Sequence, residues 1–132
     1  MYQIDSFPLT RVSDLNLPKR FPDALKDALK KIDLHHEDMK LAYVFLFGSA
    51  ARGEALFGSD LDLLLLTTAD TEREVRLKVM EYDIDDDTAY VPVQITVRKL
   101  DRFLDPEADV CGFNAAIVKD LILLRRYCNG RV

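Results

Sequence analysis

Two aspartates two residues apart, Asp60 and Asp62, open an apolar run that extends to Leu66. Alternate residues of an extended strand share a face, so both carboxylates project to one side, with α-carbons about 6.5 Å apart. Charged ends within about 5 Å repel by roughly 3 kcal/mol at an effective dielectric of 20. No lysine or arginine in the immediate neighbourhood is spaced to neutralise them on that face. Such a pair suits a hard divalent cation. Magnesium fits best, because it takes one or two carboxylates and fills its remaining positions with water and substrate phosphate.

Gly48 and Ser49 end an earlier apolar run, Leu41 to Phe47. A glycine there permits a sharp turn that bares backbone amides. Ala50, Ala51 and Arg52 can continue as a short helix whose first amides face an anion. The Ser49 hydroxyl is a further donor to phosphate, and Ser59, directly before the carboxylate pair, is another nucleotide-binding candidate. Arg52 adds charge, directed either at the anion or at solvent. A phosphate cradle joined to a metal-binding carboxylate pair describes a nucleoside triphosphate site, where charge developing at the attacked α-phosphate is stabilised. Other phosphate motifs fail: Gly53 and Gly58 have the P-loop glycine spacing, but Ser59-Asp60 stand where Lys-Ser/Thr is required, and no GxGxxG occurs.

The elements that position these residues follow from apolar spacing. Pro22 suits a first helical turn, and Ala24, Leu25, Ala28, Leu29 and Ile32 recur at helical spacing through Leu34. Leu41–Phe47 and Leu61–Leu66 read as strands buried on both faces, and Tyr90–Val97 as a third strand. Pro92 places that third strand at a sheet edge or puts the proline at its start. Thr71 with Glu74 forms a capping box for a helix to about Tyr82, although Val75, Leu77 and Val79 also alternate like a strand. Asp83, Asp85, Asp86 and Asp87 form an acidic turn, and Asp105-Pro106 breaks the chain. Phe113, Ala116, Ile117, Asp120, Leu121 and Leu124 then predict a final helix. The order helix, strand, strand, helix, strand, helix implies an α/β (α+β) fold, a small mixed sheet flanked by helices. Residues 1–132 read as a single domain, with the first twenty irregular and wrapped on the surface.

Gly48-Ser49, ten intervening residues and Asp60-Leu61-Asp62 resemble the GSx10DxD signature of the minimal nucleotidyltransferases, within the polymerase-beta-like nucleotidyltransferase superfamily. The wider string FGSAARG…SDLDLLL is similar as well, and the resemblance extends loosely over residues 23 to 127. It implies the nucleotidyltransferase fold and transfer of a nucleoside monophosphate from a triphosphate, ATP first, with Asp60 and Asp62 catalytic and holding Mg2+. Gly48, Ser49, Arg52 and Ser59 would bind the nucleotide. Relatives of this kind often pair with a small helical HEPN protein as antitoxin and toxin, and some modify that partner with AMP. The acceptor is then a protein side chain or a small hydroxyl compound, with tRNA or other RNA a further option. The family usually carries a third carboxylate on a later strand. Here that position reads Gln94, or Thr96, and glutamine has neither the charge nor the basicity of a carboxylate. Asp83 or Asp87 could substitute in space. The alternative is a catalytically weakened antitoxin that binds nucleotide or partner, and beyond that a generic interaction domain.

Composition narrows the remaining classes. Lys+Arg number 18 against 23 Asp+Glu, a net charge of -5, which is a poor footprint for coating nucleic acid. The first residues have neither a basic nor an apolar secretory region, and no apolar run reaches the roughly 20 residues of a membrane span. These features predict a cytoplasmic protein, and they are compatible with a homo-oligomer. Cys111 and Cys128 form no metal or disulfide pattern and read as free thiols. His35 and His36 sit where they complement a helix dipole. Arg125, Arg126 and Arg131 form the only basic cluster, read as cations near a helix C-terminus or as an RNA or partner contact. Tyr43, Phe45, Phe47 and Tyr90 read as core. Tyr2, Phe7 and Phe21 either join the core or cover a groove for a partner.

Overall fold

The computed structural model describes residues 4–85, 91–105, 107 and 112–127. A four-stranded mixed sheet forms its centre, with β1 (Leu41–Phe47), β2 (Leu61–Thr67), β3 (Val93–Lys99) and β4 (Ile122–Arg126) in the spatial order β3-β2-β1-β4. Strand β1 pairs antiparallel with both β2 and β4, whereas β2 and β3 run parallel. Parallel neighbours need a crossover. Helix α3 (Glu72–Glu81) supplies it, started by the capping box in which Thr71 and Glu74 exchange hydrogen bonds with each other's amides. Pro92 sits just before the edge strand β3, ahead of the first pair, Leu61 with Val93, so the missing N–H falls outside the ladder while its carbonyl accepts the Leu61 amide at 2.9 Å.

Alternation along β1 and β2 sends side chains to two cores. On one face Leu41, Val44, Leu46, Leu61, Leu63 and Leu65 pack under α1 (Phe21–His35), which contributes Leu25, Leu29 and Ile32, and under Val75 and Val79 of α3. On the other face Tyr43, Phe45, Phe47, Leu64 and Leu66 meet Ile4, Phe103 of α4 (Leu100–Leu104) and Ile117 of α5 (Phe113–Ile117). Both central strands are therefore covered on two sides, as their nearly unbroken apolar sequences require. Among the described residues no helix is long and apolar enough to cross a membrane.

The final helix is the main departure from the sequence expectation. Helical structure runs only through α5 and a 3-10 turn, Val118–Asp120, before the chain extends as β4. The spacing from Phe113 to Leu121 is helical, but Leu123 and Leu124 are buried in opposite cores, which only a strand achieves with adjacent residues. Arg125 and Arg126 are consequently not helix-end cations. Arg125 donates to Asp33 at 2.9 Å and Arg126 to the Phe7 carbonyl at 2.9 Å. The third strand also begins later, at Val93, and extends to Lys99.

The N-terminal segment runs along the β4 side of the sheet. It makes two 3-10 turns, and the Thr10 amide reaches the Leu123 carbonyl at 2.8 Å, beside a bridge between Leu9 and Leu123. Phe7, half-buried, packs edge-on against Phe45 of the second core, and Phe21, the first residue of α1, is buried in the first. His35 ends α1 stacked on Tyr82, and His36 stacks on Tyr127, contacts beyond a dipole role. Tyr2, Asp86, Asp87, Tyr90, Pro106, Cys111, Cys128 and Arg131 lie outside the described residues.

Candidate functional site

The site assembles at the end of β1 and the start of β2. Phe47, the last residue of β1, lies opposite Asp62 in the antiparallel register, so the chain leaving β1 begins beside the aspartate. It leaves through Gly48, whose φ of 77° is left-handed and therefore suits glycine. The approach is close: a Cβ on Gly48 would lie 2.4 Å from Asp62 Oδ2. Residue 48 must be bare for the turn and the carboxylate to share this space. The four-residue helix α2 (Gly48–Ala51) follows, and the first amides of such a turn have no intrahelical acceptor. Ser49 is half-buried, and its carbonyl receives the Glu54 amide at 2.9 Å.

Asp60 precedes β2 and Asp62 is its second residue. Asp62 shares its face with Leu64 and Leu66, the face of the second core, but lies beyond that core's edge and is only half-buried. Burial and the neighbouring charge of Asp60 push its carboxyl above the usual aspartate range, while Arg52 pulls it partly back. No cation lies within ion-pair distance of Asp60 or Asp62 among the described residues. Unmatched negative charge of this kind fits a bound divalent cation, for which the two carboxylates are the suitable hard oxygen donors.

Gln94 stands directly across from Asp62 in the parallel register, with an exposed side chain. Thr96 pairs with Leu64, one strand repeat further from the site. Among the described residues no group of three His, Cys, Asp or Glu is arranged to hold a metal. Asp83 does not repair this. Its carbonyl receives Lys31 Nζ at 2.9 Å, next to the end of α1 that feeds the start of β1, whereas Asp62 faces the far end of that strand.

Arg52 and Ser59 are engaged locally. The Ser59 hydroxyl accepts the Leu56 amide at 2.9 Å and closes a turn ahead of the carboxylates. Arg52 donates from Nε to Glu54 at 2.8 Å and from Nη1 to Asp120 at 3.1 Å, and these bonds raise its pKa further. It stays cationic and retains donors for a phosphate, since guanidinium carries five N–H groups. Glu54 and Asp120 were not among the sequence candidates. Glu54 lies two residues from Arg52 and could have been paired with it, but Asp120 is 68 residues away and carries no local signal.

The family model described as "Nucleotidyltransferase domain" matches residues 22–122, which contain the whole site. The chain belongs to the nucleotidyltransferase domain family. Nucleotidyl transfer is the chemistry of such domains, and they typically use divalent metal ions. Among solved structures, a candidate nucleotidyltransferase from Sulfolobus solfataricus is similar at 19% identity and a TM-score of 0.42, over 78% of this chain and 86% of that one. No sequence among the curated proteins matches.

Proposed function

We propose that this nucleotidyltransferase domain is a magnesium-dependent enzyme that moves a nucleoside monophosphate from a triphosphate, ATP first, to a hydroxyl on a protein or small-molecule acceptor. The close approach of Gly48 to Asp62 carries the reading, because it joins the anion-binding turn to the carboxylate pair. Asp60 and Asp62 would hold the metal, which when bound shields the phosphate charge and polarises the α-phosphate. The Gly48 and Ser49 turn and the Arg52 guanidinium bind the triphosphate oxygens. The acceptor oxygen bonds to the α-phosphorus as the bond to the β-phosphate oxygen breaks, and pyrophosphate leaves. Gln94 cannot take the acceptor's proton, which therefore passes to Asp60, Asp62 or water.

The protein acceptor proposed is a small helical HEPN-type partner, with this chain as its antitoxin. A second reading, a catalytically weakened antitoxin that binds nucleotide or partner, is favoured by Gln94 beside Asp62. Thermal unfolding with Mg2+ and each of the four ribonucleoside triphosphates tests the nucleotide site in wild type and Asp62→Ala. A ligand at 100 times its Kd adds about 2.7 kcal/mol, several degrees for a chain of this size. A magnesium-dependent rise that Asp62→Ala abolishes is expected. Folded wild-type protein that no triphosphate stabilises would end the proposal. Mass spectrometry of the partner after incubation with ATP separates the readings: added nucleoside monophosphate marks the enzyme, an unmodified partner in a stable complex the binder.

A further inference from the structure

Between the two halves of the site, the chain presents an aromatic ring to solvent. Phe57 is 94% exposed, more than any other large apolar side chain of the described residues and the only aromatic among the exposed ones; Leu56 beside it is 74% exposed. Burying a side chain of this size is favourable, so an exposed phenyl beside a ligand site is informative where a scattered leucine is not.

The ring does not ride on a free loop. On the leading side the Gly53 amide reaches the Ala50 carbonyl at 3.3 Å and the Glu54 amide the Ser49 carbonyl at 2.9 Å. On the trailing side the Ser59 amide reaches the Leu56 carbonyl at 2.9 Å while the Leu56 amide reaches Ser59 Oγ at 2.9 Å. Gly58, at φ 97°, supplies the left-handed residue that this tight turn needs. The loop is thus pinned to the phosphate turn at one end and to the residue before Asp60 at the other. Only Gly58 and Ser59 lie between Phe57 and Asp60, so three chain steps limit their α-carbon separation to about 11 Å. The turn shortens it further. That is the scale of the ribose and phosphates that separate a base from the metal-bound end of a nucleotide.

We propose that Phe57 is the stacking platform for the nucleobase of the bound triphosphate, and that purine nucleotides are the preferred substrates because their larger faces overlap the ring more. The inference rests on the triphosphate reading of the Gly48–Asp62 site. A flat ring offers every base a π-face, so selection comes from overlap rather than from hydrogen bonding.

Isothermal titration with Mg2+ and either ATP or inorganic tripolyphosphate separates the base from the phosphates, in wild type, Phe57→Ala and Phe57→Trp. Phe57→Ala should weaken ATP about tenfold and leave tripolyphosphate unchanged, with unaltered unfolding because the ring is exposed. Phe57→Trp should keep ATP affinity. Because the chain has no other tryptophan, its emission should be quenched by ATP and not by tripolyphosphate. Equal ATP affinity in wild type and Phe57→Ala would overturn the assignment, as would an equal loss of tripolyphosphate. A Phe57→Ala protein that binds ATP normally but releases a co-purifying protein also overturns it, and makes the ring a protein contact. If wild type binds neither probe, the triphosphate reading itself fails, and this inference with it.

Discussion

Replacing Gly48 by alanine tests the contact on which the site is built, because two separable costs follow from the geometry. The backbone holds a φ of 77°, where an L-residue pays about 1–2 kcal/mol. The added methyl would also lie 2.4 Å from Asp62 Oδ2 and 3.2 Å from its Cγ. Asp62 is only half-buried, so its carboxylate can swing aside, at about 0.5–1.5 kcal/mol for an off-rotamer side chain. The sum is roughly 1.5–3.5 kcal/mol, or about 5–17 °C in Tm at this chain length. In an Asp62→Ala background the offending atoms are gone. The nearest remaining one, Cβ at 3.5 Å, is an ordinary contact, so only the backbone cost of about 1–2 kcal/mol should survive. Chemical denaturation of the four proteins measures the cycle, with an expected coupling of about 1 kcal/mol. Gly48→Ala should also lose the magnesium-dependent stabilisation by ATP, since the carboxylate that moves is the one that serves the site. Equal costs in the two backgrounds, or a single-variant cost below about 0.5 kcal/mol, would refute the close approach.

Three further outcomes are expected. Asp62→Asn should stabilise the ligand-free protein at neutral pH while abolishing nucleotide stabilisation, because it removes a charge that burial and Asp60 disfavour. The sign follows from linkage. The folded carboxyl titrates above its unfolded value of 3.8, so the folded state binds more protons in that window. Wild-type stability therefore carries a loss as pH rises through the window and keeps it above, and denaturation curves of Asp62→Asn should lack this component. Gln94→Asp places a third carboxylate across from Asp62 and should tighten magnesium binding measured by titration calorimetry; equal or weaker affinity would show that the third position lies elsewhere. Thr67→Val keeps the shape of a fully buried side chain but strips the hydroxyl that donates to the Met39 carbonyl at 2.7 Å and accepts the Ala69 amide at 3.0 Å. A loss of about 1–3 kcal/mol in urea unfolding is expected, with nucleotide binding unchanged.

Much of the frame around the site was legible locally. The stripe from Ala24 to Ile32, the two apolar strands and the Thr71–Glu74 box each depend on a few neighbouring residues, and each formed within a residue or two of its expected bounds. The juxtaposition of Gly48 with Asp62 was implied by spacing, since a turn, a short loop and an antiparallel return bring the end of one strand beside the start of the next.

What the sequence determined by itself was the local frame: which strands must lie inside, and that Gly48 and the Asp60–Asp62 pair stand at the end of one strand and the start of the next. Tertiary structure decided where distant segments spend their side chains. Leu121–Leu124 has helical spacing behind it, yet it extends because β1 has an open edge and two cores to fill, and pairing there satisfies backbone groups that a helix would have left on β1. The same pairing brings Asp120 to Arg52, Arg125 to Asp33 and Arg126 to the Phe7 carbonyl. These contacts join residues 68 to 119 positions apart, and no local pattern encodes them, because they exist only once the sheet has closed.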